Sequence, residues 1–354
     1  MTASSDGLAS ARFVSSPDTF LVEELPAYLP SGTGEHTFLW IEKRGLTTWD
    51  AIGLLARRLR VDQRDIGCAG MKDKHATTRQ WLSVPRVPPE LALEAGDDFL
   101  RVLRAVPHGN KLKTGHLHGN RFEVVVDGLG PDAARTLTER LVALGREGLP
   151  NRYGEQRFGR DRDNAARGLA LLRGQARERD ARKRRLLLSA VQSAVFNDVL
   201  RARLTDGTAR RVLTGDILQK VPTGGVFTTE DPAVDQARVD AGEIVITGPL
   251  PGSWAREPPP DSAARAIEDQ ALGALEAKRE EFAALGKDLP GTRRPLLVPV
   301  VLGDPATAPV ADNPRALRLA FQLPAGTYAT VLVQELGVTV GQPHPPAAES
   351  MLTT

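Results

Sequence analysis

Residues 67–83 read Gly-Cys-Ala-Gly-Met-Lys-Asp-Lys-His-Ala-Thr-Thr-Arg-Gln-Trp-Leu-Ser. From Arg79 to Val84 the pattern is that of a strand, with Trp81 and Ser83 on one face and Leu82 and Val84 on the other. Gly70 offers a place for the backbone to turn where a Cβ would clash. Asp73, between Lys72 and Lys74, is therefore expected on a turn that leads into the strand. A carboxylate placed this way is a candidate nucleophile. On its own, however, Lys-Asp-Lys is more often a solvated charge run.

Outward from this stretch the chain alternates strands and helices. Residues 37–41 and 121–127 are rich in β-branched and aromatic side chains and read as strands. Thr47-Thr-Trp-Asp50 resembles a capping box that opens a helix to about Arg60, with Ile52, Leu55 and Leu59 on one stripe. Pro131 suits a first helical turn, Leu137, Leu141 and Leu144 give its apolar face, and Gly145 and Gly148 are expected to stop it. A longer helix is expected over about 182–204, with Leu188, Val191, Val195 and Val199 inward, and another over about 262–285. The class is α+β. Pro- and Gly-rich breaks at 248–260 and 290–305 punctuate the second half, each too short for a free linker.

The 354 residues suffice for about two domains, and 41% hydrophobic with 25% charged residues is a globular balance. No apolar run reaches the roughly 18 to 20 residues that span a bilayer, and the first residues show neither a basic head nor an apolar core. No membrane association and a cytoplasmic location are expected. The single cysteine, Cys68, excludes an internal disulfide and any multi-thiolate zinc site. His116 and His118 lack a third ligand at useful spacing, so no metal is expected. No dinucleotide loop, phosphate loop or serine elbow is present, so no cofactor is expected, nucleotide cofactors included.

Net charge is only +2, but it is segregated. Residues 101–121 hold five lysines and arginines and no acid, 173–185 are strongly basic, and 257–281 are acidic. Such a distribution suits one face turned to a polyanion, and it equally describes ordinary solvated helix faces. The stretch Gly115-His-Leu-His-Gly-Asn-Arg-Phe122 leads into a strand that places Asn120 and Phe122 on one side. An amide beside an aromatic ring suits a base taken out of its stack, through edge hydrogen bonds and a stacking surface. The plainer alternative makes Phe122 core and Asn120 the end of a turn. If the local chain is extended, Lys72 and Lys74 point away from the face of Asp73, so a strong cationic partner for it must come from elsewhere.

Taken together these segments resemble the TruD family of tRNA pseudouridine synthases. The likeness runs through Pro17-Asp-Thr-Phe20-Leu-Val-Glu-Glu24, Gly34-Glu-His36, Ala69-Gly-Met-Lys-Asp73-Lys-His-Ala-Thr77 and Lys111-Leu-Lys-Thr-Gly115 with Gly119-Asn-Arg-Phe122. It continues through Pro150-Asn-Arg-Tyr-Gly-Glu-Gln-Arg-Phe-Gly159, Leu187–Ser193 with Phe196-Asn197, Thr247-Gly-Pro-Leu250 and Leu323-Pro-Ala-Gly-Thr-Tyr-Ala-Thr330.

The resemblance implies a pseudouridine-synthase core with a mixed, largely antiparallel sheet and flanking helices. That core would cover 1–147 and 303–354, interrupted by an inserted α+β TRUD domain at 148–302. It implies isomerisation of uridine to pseudouridine at tRNA position 13, without cofactor or metal. Asp73 falls on the family's catalytic aspartate, and Phe20, Asn120 and Tyr328 fall on positions that contact the target nucleotide; Phe122 would add a further flat wall. The carboxylate is expected ionised and shielded from bulk solvent. Where family members often carry a lysine, this chain has Val14, and Arg12, or a lysine elsewhere, is the candidate charge partner of Asp73. Lys72, Lys74, Lys111, Lys113, Arg152 and Arg157 are candidate contacts to the RNA backbone. The partner is tRNA and the state a monomer or weak oligomer. The rival readings are a non-catalytic RNA-binding or RNA-chaperone protein on the same fold, and a metal-dependent RNA hydrolase.

Overall fold

A computed structural model describes residues 7–159, 161–221 and 223–342. The chain divides into two compact units, one formed by residues up to Glu147 together with those from Pro299 onward, the other by Gly148–Val298.

The first unit opens with β1 (Arg12–Val14), β2 (Phe20–Pro26), β3 (His36–Arg44), α1 (Thr48–Leu59), β4 (Gly67–Cys68) and β5 (Thr77–Pro85). It continues with α2 (Pro89–Leu93), β6 (Leu100–His108), β7 (Leu117–Val126) and α3 (Ala133–Glu147). The second unit holds β8 (Leu149–Pro150), α4 (Asn164–Leu172), α5 (Ala181–Thr205), β9 (Ile217–Lys220), β10 (Val226–Thr228), α6 (Pro232–Asp240) and β11 (Ile244–Leu250). It ends with α7 (Ala263–Ala274), α8 (Arg279–Ala283), β12 (Thr292–Pro295) and β13 (Leu297–Val298). The chain then returns to the first unit with β14 (Val301–Val310), β15 (Asn313–Pro324), α9 (Ala329–Glu335) and β16 (Thr339–Gly341).

The first unit is built on one mixed sheet in the order β14-β15-β7-β2-β5-β3-β6, with β4 paired to β5. Its pairings are antiparallel except that of β2 with β5. Register decides which side chains share a face. Val22 lies between Phe122 and Thr78, and Thr78 is opposite Lys43. One face of β3 and β5 packs Leu39, Ile41, Leu82 and Val84 on Ile52, Leu55 and Leu59 of α1. The opposite face carries Phe38 and Trp81, with Tyr28 and Trp40 against them.

α1 forms as expected. The Thr47 hydroxyl accepts from the Asp50 amide at 3.0 Å and the Asp50 carboxylate accepts from the Thr47 amide at 2.8 Å, a reciprocal capping box. Two other expectations are corrected. α3 runs through Gly145 to Glu147; this glycine fits against Leu302, whose side chain a Cβ would meet at 3.1 Å, and the chain leaves the helix at Gly148, where φ is +84°. The helix expected over 262–285 is broken into α7 and α8. Glu276 takes a left-handed φ of 50°, and Arg173 donates to the carbonyls of Leu275 and Glu276, stabilising the break.

In the second unit α5 supplies the core, with Leu188, Val191, Val195, Phe196 and Val199 against Leu218, Ile244 and Ile246 of a sheet ordered β10-β9-β11-β12. Part of the acidic stretch near 257–281 is an ion network around the buried Glu268. Arg293 reaches Glu268 at 2.8 Å with both side chains buried, and Arg265 and Arg279 bind Asp269.

Candidate active site

Asp73 lies on the loop between β4 and β5, and that loop is pinned from four directions. The Gln80 amide donates to the Gly70 carbonyl at 3.0 Å. The Lys72 amide donates to the Thr48 hydroxyl at 2.9 Å, and that hydroxyl in turn donates to Gln80. The Lys43 ammonium donates to the Asp73 carbonyl at 3.0 Å, and Ser15 donates to the His75 carbonyl at 2.5 Å. Asp73 Oδ1 itself accepts from the His75 amide at 2.9 Å. These bonds tie the loop to β3, β5, α1 and the segment after β1, and the Asp73 side chain is exposed at its surface. The shielding expected for this carboxylate is thus absent in the free protein. Lys72 turns inward and Asp73 consequently turns out.

Gly70 is not what shapes the turn. Its backbone is outside the left-handed region, and a Cβ there would meet nothing nearer than the Lys72 ammonium at 3.5 Å. The side-chain bonds from Gln80, Thr48, Lys43 and Ser15 shape it instead.

Lys72 is removed from the candidate phosphate contacts. Its ammonium pairs with Glu24 at 2.7 Å, and the two side chains are only 4% and 0% exposed. Glu24 also accepts from the Trp81 amide, while burial pushes its carboxyl above the usual range against the opposing pull of Lys72. Glu24 is the register partner of Asn120 across β2 and β7. The loop is therefore tied through Lys72 and Glu24 to the strand row that carries Asn120.

Asn120 Oδ1 is buried with no hydrogen-bond partner, as is Thr78 Oγ1. Buried polar atoms are almost always paired, so the orphaned amide oxygen sets Asn120 apart from the other side chains on this face. Two residues along, Phe122 stacks on Phe20 with centroids 6.1 Å apart and planes 11° apart, and on Phe321 at 5.5 Å. Phe20 and Phe122 are 6% and 5% exposed, so they are a packed floor first and a stacking surface second. Tyr328, immediately before α9, is 47% exposed.

The structure does not bring Arg12 to Asp73. Its guanidinium lies 3.9 Å from Asp127, and its backbone pairs with the same residue. The ammonium bonded to Asp73 is that of Lys43, on the backbone carbonyl and not the carboxylate, a lysine that the sequence left open without naming. A signal was present: Lys43 follows Leu39 and Ile41 in strand alternation and so occupies an inward position. Trp49 and Met71 are exposed apolar side chains beside Thr48 and Lys72, at the two ends of one hydrogen bond.

Of the remaining basic candidates, Lys74 and Lys113 are exposed, and Lys111 is half-buried with its ammonium on the Arg64 carbonyl at 2.5 Å. In the second unit Arg152 is half-buried, and Arg157 donates to Ser193 at 3.1 Å and lies over the Tyr153 ring. Arg101 and Arg121 from the basic stretch are tied to Glu42 and Glu23, which also hold Arg79. Among the described residues no cluster of His, Cys, Asp and Glu has the makings of a metal site, and no helix is long and apolar enough to cross a membrane.

The family model described as tRNA pseudouridine synthase D (TruD) matches residues 2–179 and 178–336. The chain belongs to the TruD family. A TruD relative from Anaeromyxobacter dehalogenans, named tRNA pseudouridine synthase D, is 46% identical over 328 residues, covering 90% of each chain. One of the same name from Thermus thermophilus is 42% identical over 323 residues, covering 90% of this chain and 86% of its own. A crystal structure of a Methanosarcina mazei protein assigned to TruD superposes with a TM-score of 0.74 at 22% identity, covering 94% of both chains. The α+β architecture with its mixed sheet is therefore the TruD fold.

Proposed function

We propose that this protein is an isomerase that converts uridine to pseudouridine in tRNA, at position 13, with Asp73 as nucleophile. The observation that carries the reading is the arrangement around Asp73. An exposed carboxylate sits on a loop held by Gln80, Thr48, Lys43 and Ser15, and that loop is joined through Lys72 and Glu24 to a strand row bearing an unpaired amide oxygen. Membership of the TruD family and the names of its relatives support the activity. The residues up to Glu147 and from Pro299 form the catalytic domain, and 148–298 the family's inserted domain. The protein acts in the cytoplasm.

The chemistry follows from the groups in place. The target uridine leaves its stack at a cost of a few kcal/mol. Asp73 assists cleavage of the N1–C1′ bond, either by adding to C1′, from which C5 later displaces it, or by taking the C2′ proton to leave a glycal, to which it returns that proton as C5 bonds to C1′. On both routes the bonding pair stays on the detached uracil. Asn120 accepts from the uracil N3–H while Tyr328 and the edges of Phe20 and Phe122 give the ring apolar walls. The uracil turns, C5 bonds to C1′, Asp73 is released, and the C5 proton leaves to solvent as N1 takes one up. Because Asp73 is exposed in the free protein, the bound RNA itself must exclude water from it.

The test uses tRNA transcripts with uridine or cytidine at position 13 and maps pseudouridine as carbodiimide adducts by primer extension. A single stop reporting position 13, absent from the cytidine transcript, is expected. Pseudouridine only at other positions contradicts the assignment of the site, and none anywhere contradicts the activity.

A further inference from the structure

Lys43 is fully buried near the end of β3. Its ammonium donates to two carbonyls, that of Leu46 at 2.5 Å in the β3–α1 turn and that of Asp73 at 3.0 Å. Among the described residues it has no carboxylate within ion-pair distance. A buried ammonium held only by neutral oxygens is expensive to desolvate, and such charges are ordinarily paired. The charged groups that face it are Asp73 and Lys72 from the loop and Asp50 from the first turn of α1. From β5 the register partner Thr78 faces it, with its own hydroxyl unpaired. Nothing in the packing of β3 requires a cation there, since the neighbouring inward positions are Leu39 and Ile41.

We propose that Lys43 is a positioning residue for Asp73: its buried ammonium bolts the Asp73 peptide to the β3–α1 turn, and the loop loosens when that ammonium gives up its proton. The inference rests on the reading of Asp73 as the nucleophile. A charge-assisted bond is roughly twice as strong as a neutral one, so the neutral amine holds the two carbonyls less firmly. Burial brings the Lys43 ammonium down to about 8, partly opposed by Asp73 and Asp50, which places the loosening within reach of mild alkali. An arginine at this position would keep its charge throughout that range.

The experiment compares the full-length wild type with Lys43→Arg and Lys43→Met. The first readout does not need catalysis. The Asp73 carbonyl shares its peptide with the Lys74 amide, whose 15N resonance reports the bond from Lys43. In the wild type that resonance is expected to titrate with a midpoint near 8, and in both variants to lose this step. The second readout is the pH dependence of tritium release from C5-labelled uridine in tRNA. The wild-type rate is expected to fall on an alkaline limb that Lys43→Arg shifts upward by at least about one unit, while Lys43→Met lowers kcat about tenfold or more with KM little changed. A Lys74 amide that does not titrate near 8, or an alkaline limb identical in wild type and Lys43→Arg, overturns the proposal. Should Lys43→Met not fold, the wild type and Lys43→Arg decide it alone. A wild type that titrates as expected and releases no tritium overturns the proposed function and leaves the Lys43 bond standing.

Discussion

Glu24 and Lys72 meet 2.7 Å apart beneath the loop that presents Asp73, both side chains closed off from solvent. Removing one member of a buried pair leaves the other charge uncompensated, a loss of about 3–5 kcal/mol. Lys72→Met and Glu24→Gln are each expected to lower urea-unfolding stability by that amount. The double variant is expected to lose clearly less than the sum. If Lys72→Met instead left stability unchanged and flattened the salt dependence of tRNA binding, the buried role assigned to it would be wrong.

Much of the architecture was readable from local pattern. α1 announces itself through the reciprocal Thr47–Asp50 cap and its Ile52, Leu55 and Leu59 stripe, and β5 through its two faces. What could not be read are choices made by tertiary partners. The break at Glu276 depends on Arg173, roughly a hundred residues away in sequence, whose pull on two carbonyls outweighs helix propensity over about 262–285. The inward turn of Lys72 depends on Glu24, and only the sheet register brings Glu24 beneath the loop. Arg12 failed as a partner for the same reason: β1 pairs with β16, and its neighbour Asp127 takes the guanidinium.

Asn120 carries a buried amide oxygen with nothing bonded to it, so its replacement removes an unpaired acceptor. Asn120→Ala is expected to alter thermal stability by less than about 1 kcal/mol, because no existing bond is broken. Turnover is expected to fall by at least about tenfold if the amide accepts from the substrate base as proposed. Melting curves and steady-state rates on one preparation separate the two effects. A large loss of stability would make Asn120 a structural residue.

Phe122 and Tyr328 differ in burial, and their alanine variants are expected to differ in kind. Phe122→Ala empties a packed position between Phe20 and Phe321 and costs about 3–5 kcal/mol of stability. Tyr328→Ala, at a half-exposed site, is expected to stay within about 0.5 kcal/mol while weakening tRNA affinity or turnover. Unfolding and binding measured side by side check both. Tyr328→Ala with unchanged binding and turnover would remove it from the site.

Lys43 makes stability depend on pH with a definite sign. Its ammonium titrates at about 8 when folded and at 10.5 when free, so between these values the unfolded chain binds the extra proton. Its contribution is thus a penalty below about pH 8 that is relieved as pH rises through the window, by up to about 3 kcal/mol. Urea unfolding of the wild type is expected to gain stability relative to Lys43→Met from pH 8 to 10, and parallel curves would contradict the buried charged state.

Asp73 is the group proposed to attack the nucleotide. The direct measurement is tritium release from C5-labelled uridine in tRNA by Asp73→Asn, with tRNA binding measured on the same protein. Asparagine keeps the size of the side chain and its acceptor for the His75 amide while removing the nucleophilic oxygen anion. Unchanged binding and abolished release are expected of Asp73→Asn. Release at the wild-type rate would show that Asp73 is not the nucleophile.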